Sequence, residues 1–209
     1  MAVEAQLARL LEHPAIWRGR GSAAAPPAIP SGCAALDDFL PGKGWPRAGL
    51  IELLVPRFGS GELSLLLPAL ATLSRAVQAR WCVWVAPPLM PFAPALVAHG
   101  MALDRVAVVS GARPLWALEQ TLGSGACDVV LGWARQPKSR EIRRLQLAAE
   151  RGRTLGVLFR PRRAAREASP ALLRLVLERR PAVLRLTLLK GRGARRGALE
   201  LALPQDAAP

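Results

Sequence analysis

Residues 55–66, VPRFGSGELSLL, follow the short apolar run GLIELL (49–54) and open an apolar segment that continues to about Val77. A phosphate-binding loop occupies this place between a strand and a helix. Its successive backbone N–H groups cradle phosphate oxygens, a Lys neutralises them, and a Ser or Thr ligates Mg²⁺. The turn-like Gly59-Ser60-Gly61 is present, but Glu62 and Leu63 stand where Lys and the hydroxyl are needed. No Lys occurs between positions 44 and 137. A carboxylate about 4 Å from a phosphate costs ~1 kcal/mol even at the dielectric of water, and more in a cleft. The stretch therefore reads as an ordinary strand–helix turn, with ATP-independent binding of an anion as the alternative.

Outward from this loop, strands and helices alternate. Short, nearly continuous apolar runs predict strands at 50–55, 81–86, 105–109, 127–133 and 154–159, as for strands covered on both faces. Apolar residues at three- and four-residue spacing, such as Leu115, Leu118 and Leu122, predict helices at 61–79, 92–99, 114–123 and 138–151. The alternation predicts an α/β fold with a mostly parallel sheet flanked by helices. After residue 168 the period becomes two. The segments 170–178, 182–190 and 197–203 read as antiparallel strands added at one edge, the last two forming a hairpin; a helix at 170–178 is the alternative. Upstream, Leu7, Leu10 and Leu11 share one face of a short helix, and the Gly/Ala/Pro stretch after it reads as an extended linker. The expected division is a helical tether at 1–17, a linker at 18–32, a core domain at 33–204 and a disordered tail at 205–209.

The 209 residues carry 29 Lys+Arg against 15 Asp+Glu, a formal charge of +14 that favours polyanionic or acidic partners. Part of that surplus fits a GC-rich coding bias. Cys33, Cys82 and Cys127 lack metal-ligand spacing, and two histidines are too few for a metal site, so no metal or cofactor is expected. The N-terminus lacks the apolar stretch of a signal peptide, and no run reaches eighteen apolar residues. These features predict a cytoplasmic protein without a membrane span.

The segments IPSGCAALDDFLPGKGWPRAGLIELLVPRFGSGE (29–62), RWCVWVAPP (80–88), LGSGACDVVLGWARQPKSREIRRLQLAAERGRTLGVLFRP (122–161) and LRLTLLKGRGARRGALELAL (184–203) carry a resemblance. Together they resemble a RecA-like core and, within that class, the ImuA family of translesion-synthesis-associated proteins. SulA-type cell-division inhibitors are close relatives. In a RecA-type ATPase the second strand ends in a catalytic Glu and a later one in an Asp that holds Mg²⁺. The matching positions are Pro88 and Trp133, and Asp128 lies at the wrong end of its strand. With Glu62, three separate roles are missing, so the resemblance implies a non-catalytic protein.

It further implies an accessory factor in SOS-induced mutagenic translesion DNA synthesis. The partners so implied are an ImuB-type Y-family-like protein, RecA and a second, DnaE-type polymerase. Leu7, Leu10, Leu11 and Trp17 on the tether are the candidate partner contacts. Between Arg135 and Arg196 stand 19 Arg or Lys against four Glu. The short basic loops after the last two parallel strands match the DNA-facing loops of RecA-like proteins. They make Arg135, Arg140, Arg143, Arg144, Arg160, Arg162 and Arg163 candidates for sequence-independent phosphate contact, unless they are solvated faces. Trp84, Trp116 and Trp133 are expected in the core, while Trp45 falls in a loop. Two rival functions remain: a SulA-type inhibitor that caps FtsZ, and an ATP-dependent recombinase.

Overall fold

The structure, a computed structural model, describes residues 28–191 and 197–202. The tether residues Leu7, Leu10, Leu11 and Trp17, most of the linker and the 205–209 tail lie outside the described residues. Among the described residues, the segment before residue 33 already packs on the core. Ala28–Ile29 (β1) pairs antiparallel with Trp45–Pro46 (β2), and Ile29 and Ser31 are buried. Between them lies a short helix, Ala34–Phe39 (α1). Trp45, expected in a loop, is fully buried because this ribbon is pressed against the main core.

That core is an eight-stranded sheet in the order β10-β9-β8-β3-β7-β6-β4-β5. The strands are β3 (Gly49–Val55), β4 (Trp81–Val85), β5 (Val106–Val109), β6 (Cys127–Trp133), β7 (Leu155–Pro161), β8 (Leu173–Arg179), β9 (Val183–Lys190) and β10 (Ala198–Ala202). Every residue of β3 is buried, which accounts for its unbroken apolar run. Side chains alternate between faces. Ile51, Leu53 and Val55 pack with Leu36, Leu70, Leu73 and Leu96 of α1, Leu67–Ser74 (α2) and Ala93–Ala98 (α3). Leu50 packs with Leu118, Leu122, Ile142 and Leu145 of Pro114–Gly123 (α4) and Ser139–Arg151 (α5). Helices thus cover both faces of the sheet.

Two expectations are corrected. Helix α2 starts at Leu67, not at 61. Gly61 has φ 91°, and the Ser64 hydroxyl donates to the Gly61 carbonyl at 2.6 Å, so residues 61–66 form tight turns instead. Pro68 then sits in the first helical turn, where its missing N–H costs nothing. Strand β8 runs parallel to β3; within the eight-stranded sheet the β8–β9 and β9–β10 pairs are antiparallel. The chain returns from β7 to β8 through a 3-10 turn at Arg162–Arg166 and an extended stretch, with no crossover helix.

A buried ion network stands under that return. Glu52 accepts from Arg160 Nη1 at 2.9 Å and from Arg174 Nε at 2.5 Å. Arg160 Nη2 reaches Glu167 at 2.6 Å, and Arg174 donates to the carbonyls of Glu167 and Ala164, both at 2.8 Å. Two arginines and two carboxylates therefore tie β3, β7 and β8 to the helix-free crossover. Strands β9 and β10 are covered on one face only, and β9 alternates buried Leu184, Leu186 and Leu188 with half-exposed neighbours.

Candidate functional site at the carboxyl edge of the sheet

The chain leaving β3 turns toward α2 on one face, whereas the chain leaving β6 turns toward α5 on the other. Such a divergence opens a crevice at the carboxyl ends of parallel strands, the usual ligand position in open α/β sheets. A cleft of about 500 Å³ lies there, lined by Arg57, Phe58, Leu89, Arg135, Pro161 and Arg163 among others.

The glycine turn at its rim is closed on itself. Gly59 and Gly61 take φ of 81° and 91°, in the region that favours glycine. The Gly59 N–H, a donor that could have met a phosphate, donates instead to Glu62 Oε1 at 2.8 Å. Glu62 is 3% exposed, and its other oxygen is buried without a partner among the described residues. A Cβ on Gly61 would stand 2.8 Å from Arg179 Nη1, so that guanidinium lies over the turn. At the end of β6, Trp133 is wedged between Trp84, with ring centroids 5.9 Å apart, and Phe159 at 4.9 Å. Asp128 is occupied elsewhere, receiving Arg80 Nε at 3.0 Å and the Arg80 backbone N–H at 2.8 Å. Among the described residues no group of three or more His, Cys, Asp or Glu could hold a metal ion. Burial pushes the Cys82 thiol up to about 12, its contact with Trp84 offsetting only part of that, and burial likewise raises Cys127. Both are therefore packed thiols rather than nucleophiles.

The seven arginines expected to face DNA do not form one surface. Arg160 is fully buried in the Glu52 network and cannot reach a phosphate backbone. Arg144 pairs with Glu119 across α4 and α5 at 2.7 Å, and Arg162 pairs with Glu178. Arg143 lines a second cavity with Gln146 and Leu172, whose neighbour Gly49 opens β3. That is the opposite end of β3 from the main cleft, roughly 20 Å away at strand rise. Of the seven, the cleft joins Arg135 and Arg163, to which the structure adds Arg57. Sequence reading assigned Arg57 to the loop question alone. The missed signal is positional: each of the three arginines stands two residues beyond the end of its strand, after Val55, Trp133 and Pro161.

Beside the cleft the chain leaving β4 exposes Leu89, Met90, Phe92 and Val97, each more than half accessible. Trp116, expected in the core, is 51% exposed and carries Arg113 over its ring at 4.8 Å. It lies on the outer face of α4, while Leu118 and Leu122 point inward. Among the described residues no helix is long and apolar enough to cross a membrane.

Residues 57–156 match the family model described as Cell division inhibitor SulA. A protein of that name from Edwardsiella piscicida is 34% identical over 119 residues, covering 56% of this chain and 70% of the relative. The chain belongs to the SulA family. Another SulA, from Photorhabdus laumondii, is 35% identical over 97 residues, 45% of this chain and 55% of the relative. Yersinia pestis SulA is 35% identical over 100 residues, 46% of this chain and 58% of the relative. The chain thus spans little more than half the length of these last two. The crystal structure of SulA from Pseudomonas aeruginosa aligns at TM-score 0.45 and 24% identity, covering 53% of this chain and 97% of that one.

Membership in the SulA family overturns the ImuA assignment. With it go the role in translesion synthesis and the ImuB-type, RecA and DnaE-type partners. The stretches RWCVWVAPP and GW that carried the resemblance lie inside the matched segment and suit both families. The N-terminal extension, the SG..ALD segment (31–37) and the C-terminal hairpin lie outside it.

Proposed function

We propose that this protein is a non-catalytic, SulA-type inhibitor of cell division that acts in the cytoplasm during the SOS response by binding FtsZ. The carrying observation is the exposed apolar segment after β4, where Leu89, Met90 and Phe92 are each at least 70% accessible beside the carboxyl-edge cleft. Large apolar side chains gathered on a surface favour burial against a partner. Their place within the segment matched by the SulA model supports the choice of FtsZ.

The same reading treats the core as RecA-like but inert toward ATP. Its support is a glycine turn after an inner parallel strand whose free amide is already taken by Glu62. ATP hydrolysis in the presence of single-stranded DNA is expected to stay at background.

FtsZ sedimentation tests the main reading. The full chain is expected to lower the pelleted fraction of FtsZ, and a Leu89→Ser/Met90→Ser/Phe92→Ser variant to restore it while keeping its thermal transition. Unchanged polymer yield with the unaltered protein would sink the reading.

A further inference from the structure

Arg57, Arg135 and Arg163 leave three strands that are consecutive in the sheet, β3, β7 and β6 being neighbours in that order. Each stands at the second position beyond its strand, and all three line the carboxyl-edge cleft. Val55 pairs with Pro161 and Trp133 with Phe159, so Arg57 and Arg163 start level while Arg135 starts two residues lower along the sheet. All three side chains are exposed, and none takes part in an ion pair among the described residues. The nearby carboxylates are already engaged: Glu62 with the Gly59 amide, Asp128 with Arg80, Glu141 with the Lys138 amide, Glu167 with Arg160 and Glu178 with Arg162. Three like charges around one cleft without a counter-charge call for an anionic ligand.

The rest of the lining defines which kind. Phe58 and Leu89 give the cleft an apolar wall, and Arg135 lies 5.6 Å from the Phe58 ring centroid. Leu89 belongs both to that wall and to the exposed apolar segment, so the charged cleft and the apolar surface are continuous. A nucleotide phosphate would need the loop amides, and the Gly59 amide is closed by a carboxylate that repels it. A nucleic-acid strand needs a basic track, but the neighbouring Arg160 and Arg162 are neutralised in ion pairs. Planar guanidiniums recognise carboxylates through paired hydrogen bonds.

We propose that this cleft is the docking site for an acidic peptide segment of the partner protein, with Arg57, Arg135 and Arg163 holding its carboxylates and Phe58 and Leu89 an adjacent apolar side chain. This rests on the reading of the protein as one that binds another protein.

The test is fluorescence anisotropy at low salt on the full chain. Its probe is a labelled peptide alternating Asp with Leu and Phe, compared with the same peptide carrying Asn for Asp. The Asp peptide is expected to bind at least tenfold more tightly than the Asn peptide. An Arg57→Gln/Arg135→Gln/Arg163→Gln variant should lose at least tenfold. An Arg75→Gln/Arg140→Gln/Arg143→Gln variant, with the same net charge and exposed sites elsewhere, should lose less than twofold. Equal binding of the two peptides, equal loss in the two variants, or no binding at all overturns the proposal. So does tighter, Arg57/Arg135/Arg163-dependent binding of a single-stranded oligonucleotide or of inorganic phosphate. Peptide binding without an effect on FtsZ refutes the FtsZ reading and spares the cleft. An effect on FtsZ that survives the Arg57/Arg135/Arg163 variant, with no peptide binding, refutes the cleft and spares that reading.

Discussion

Replacing Glu52 by Gln removes the one carboxylate that two buried arginines share. Arg160 and Arg174 are 1% and 6% exposed at their side chains, and Glu52 is fully buried. Arg160 keeps Glu167, whose carboxylate is half in solvent, and Arg174 keeps two backbone carbonyls. The amide retains the volume and can still accept one hydrogen bond, but one buried positive charge is left uncompensated. Breaking a buried ion pair on one side costs ~3–5 kcal/mol, which in a domain of this size lowers Tm by roughly 6–20 °C. Urea denaturation followed by circular dichroism gives the free-energy difference directly from the midpoint at constant slope. A combined Glu52→Leu/Arg160→Met/Arg174→Leu variant removes the charges together. It should recover most of the loss, because apolar packing of similar volume replaces a buried pair at little cost. A loss below ~1 kcal/mol for Glu52→Gln would show that the network is solvated or relaxes freely, and would refute the view that it pins the β7–β8 crossover.

Three further outcomes are expected. Burial pushes the Cys82 thiol up to about 12 from the ordinary 9.0, so between those values the unfolded chain releases a proton that the folded chain keeps. Stability should therefore be intact below pH 9 and fall above it, by up to ~1.4 kcal/mol per pH unit. The chain has no Tyr titrating there, and Cys82→Ala should reduce this limb in alkaline denaturation curves, leaving the part carried by Cys127. Gly152→Ala would place a Cβ 2.0 Å from the Leu122 carbonyl oxygen, forcing α5 away from α4. It should cost ~1–3 kcal/mol or more by thermal denaturation, whereas Gly111→Ala, with nothing within 4 Å, should be near neutral. Ellman titration of the native protein should modify the half-exposed Cys33 and spare Cys82 and Cys127 until denaturant is added.

Much of the sheet was legible because buried parallel strands leave unbroken apolar runs; Cys127–Trp133 has the same limits in sequence and structure. Helices α4 and α5 were legible for the same reason, since their inward residues repeat at helical spacing. What failed depended on partners distant in the chain. The alternation in LRLVLER, with Arg174 second, looked like a half-solvated antiparallel strand. Arg174 is in fact buried against Glu52, 122 residues away, and β8 lies parallel to β3. Arg160 looked like surface charge for the same reason. Trp45 and Trp116 exchanged roles because the ribbon of β1 and β2 is packed into the core around one, while the other stays half exposed with Arg113 over its ring. At the candidate site Arg135 and Arg163 were visible as basic loop residues. Their meeting with Arg57 required the strand order β3-β7-β6, which no local pattern encodes.

The family assignment failed for a related physical reason. In RWCVWVAPP the residues Cys82, Val83, Trp84 and Val85 are core, and in SGACDVVLGW so are Cys127, Val129, Val130, Leu131 and Trp133. Motifs made of core side chains report how the sheet packs, and one packing serves unrelated activities. Residues that can separate a division inhibitor from a polymerase accessory factor must touch a partner, so they must be exposed. Under the proposed function they are residues with no periodicity of their own: Leu89, Met90 and Phe92, exposed after β4, and one cleft-lining arginine after each of three adjacent strands. Glu62 belongs with the core group despite its charge. At 3% exposure, with its carboxylate on the Gly59 amide, it stabilises the turn from within, and the loop that first suggested nucleotide chemistry becomes the fixed wall against which Arg57 and Phe58 are displayed.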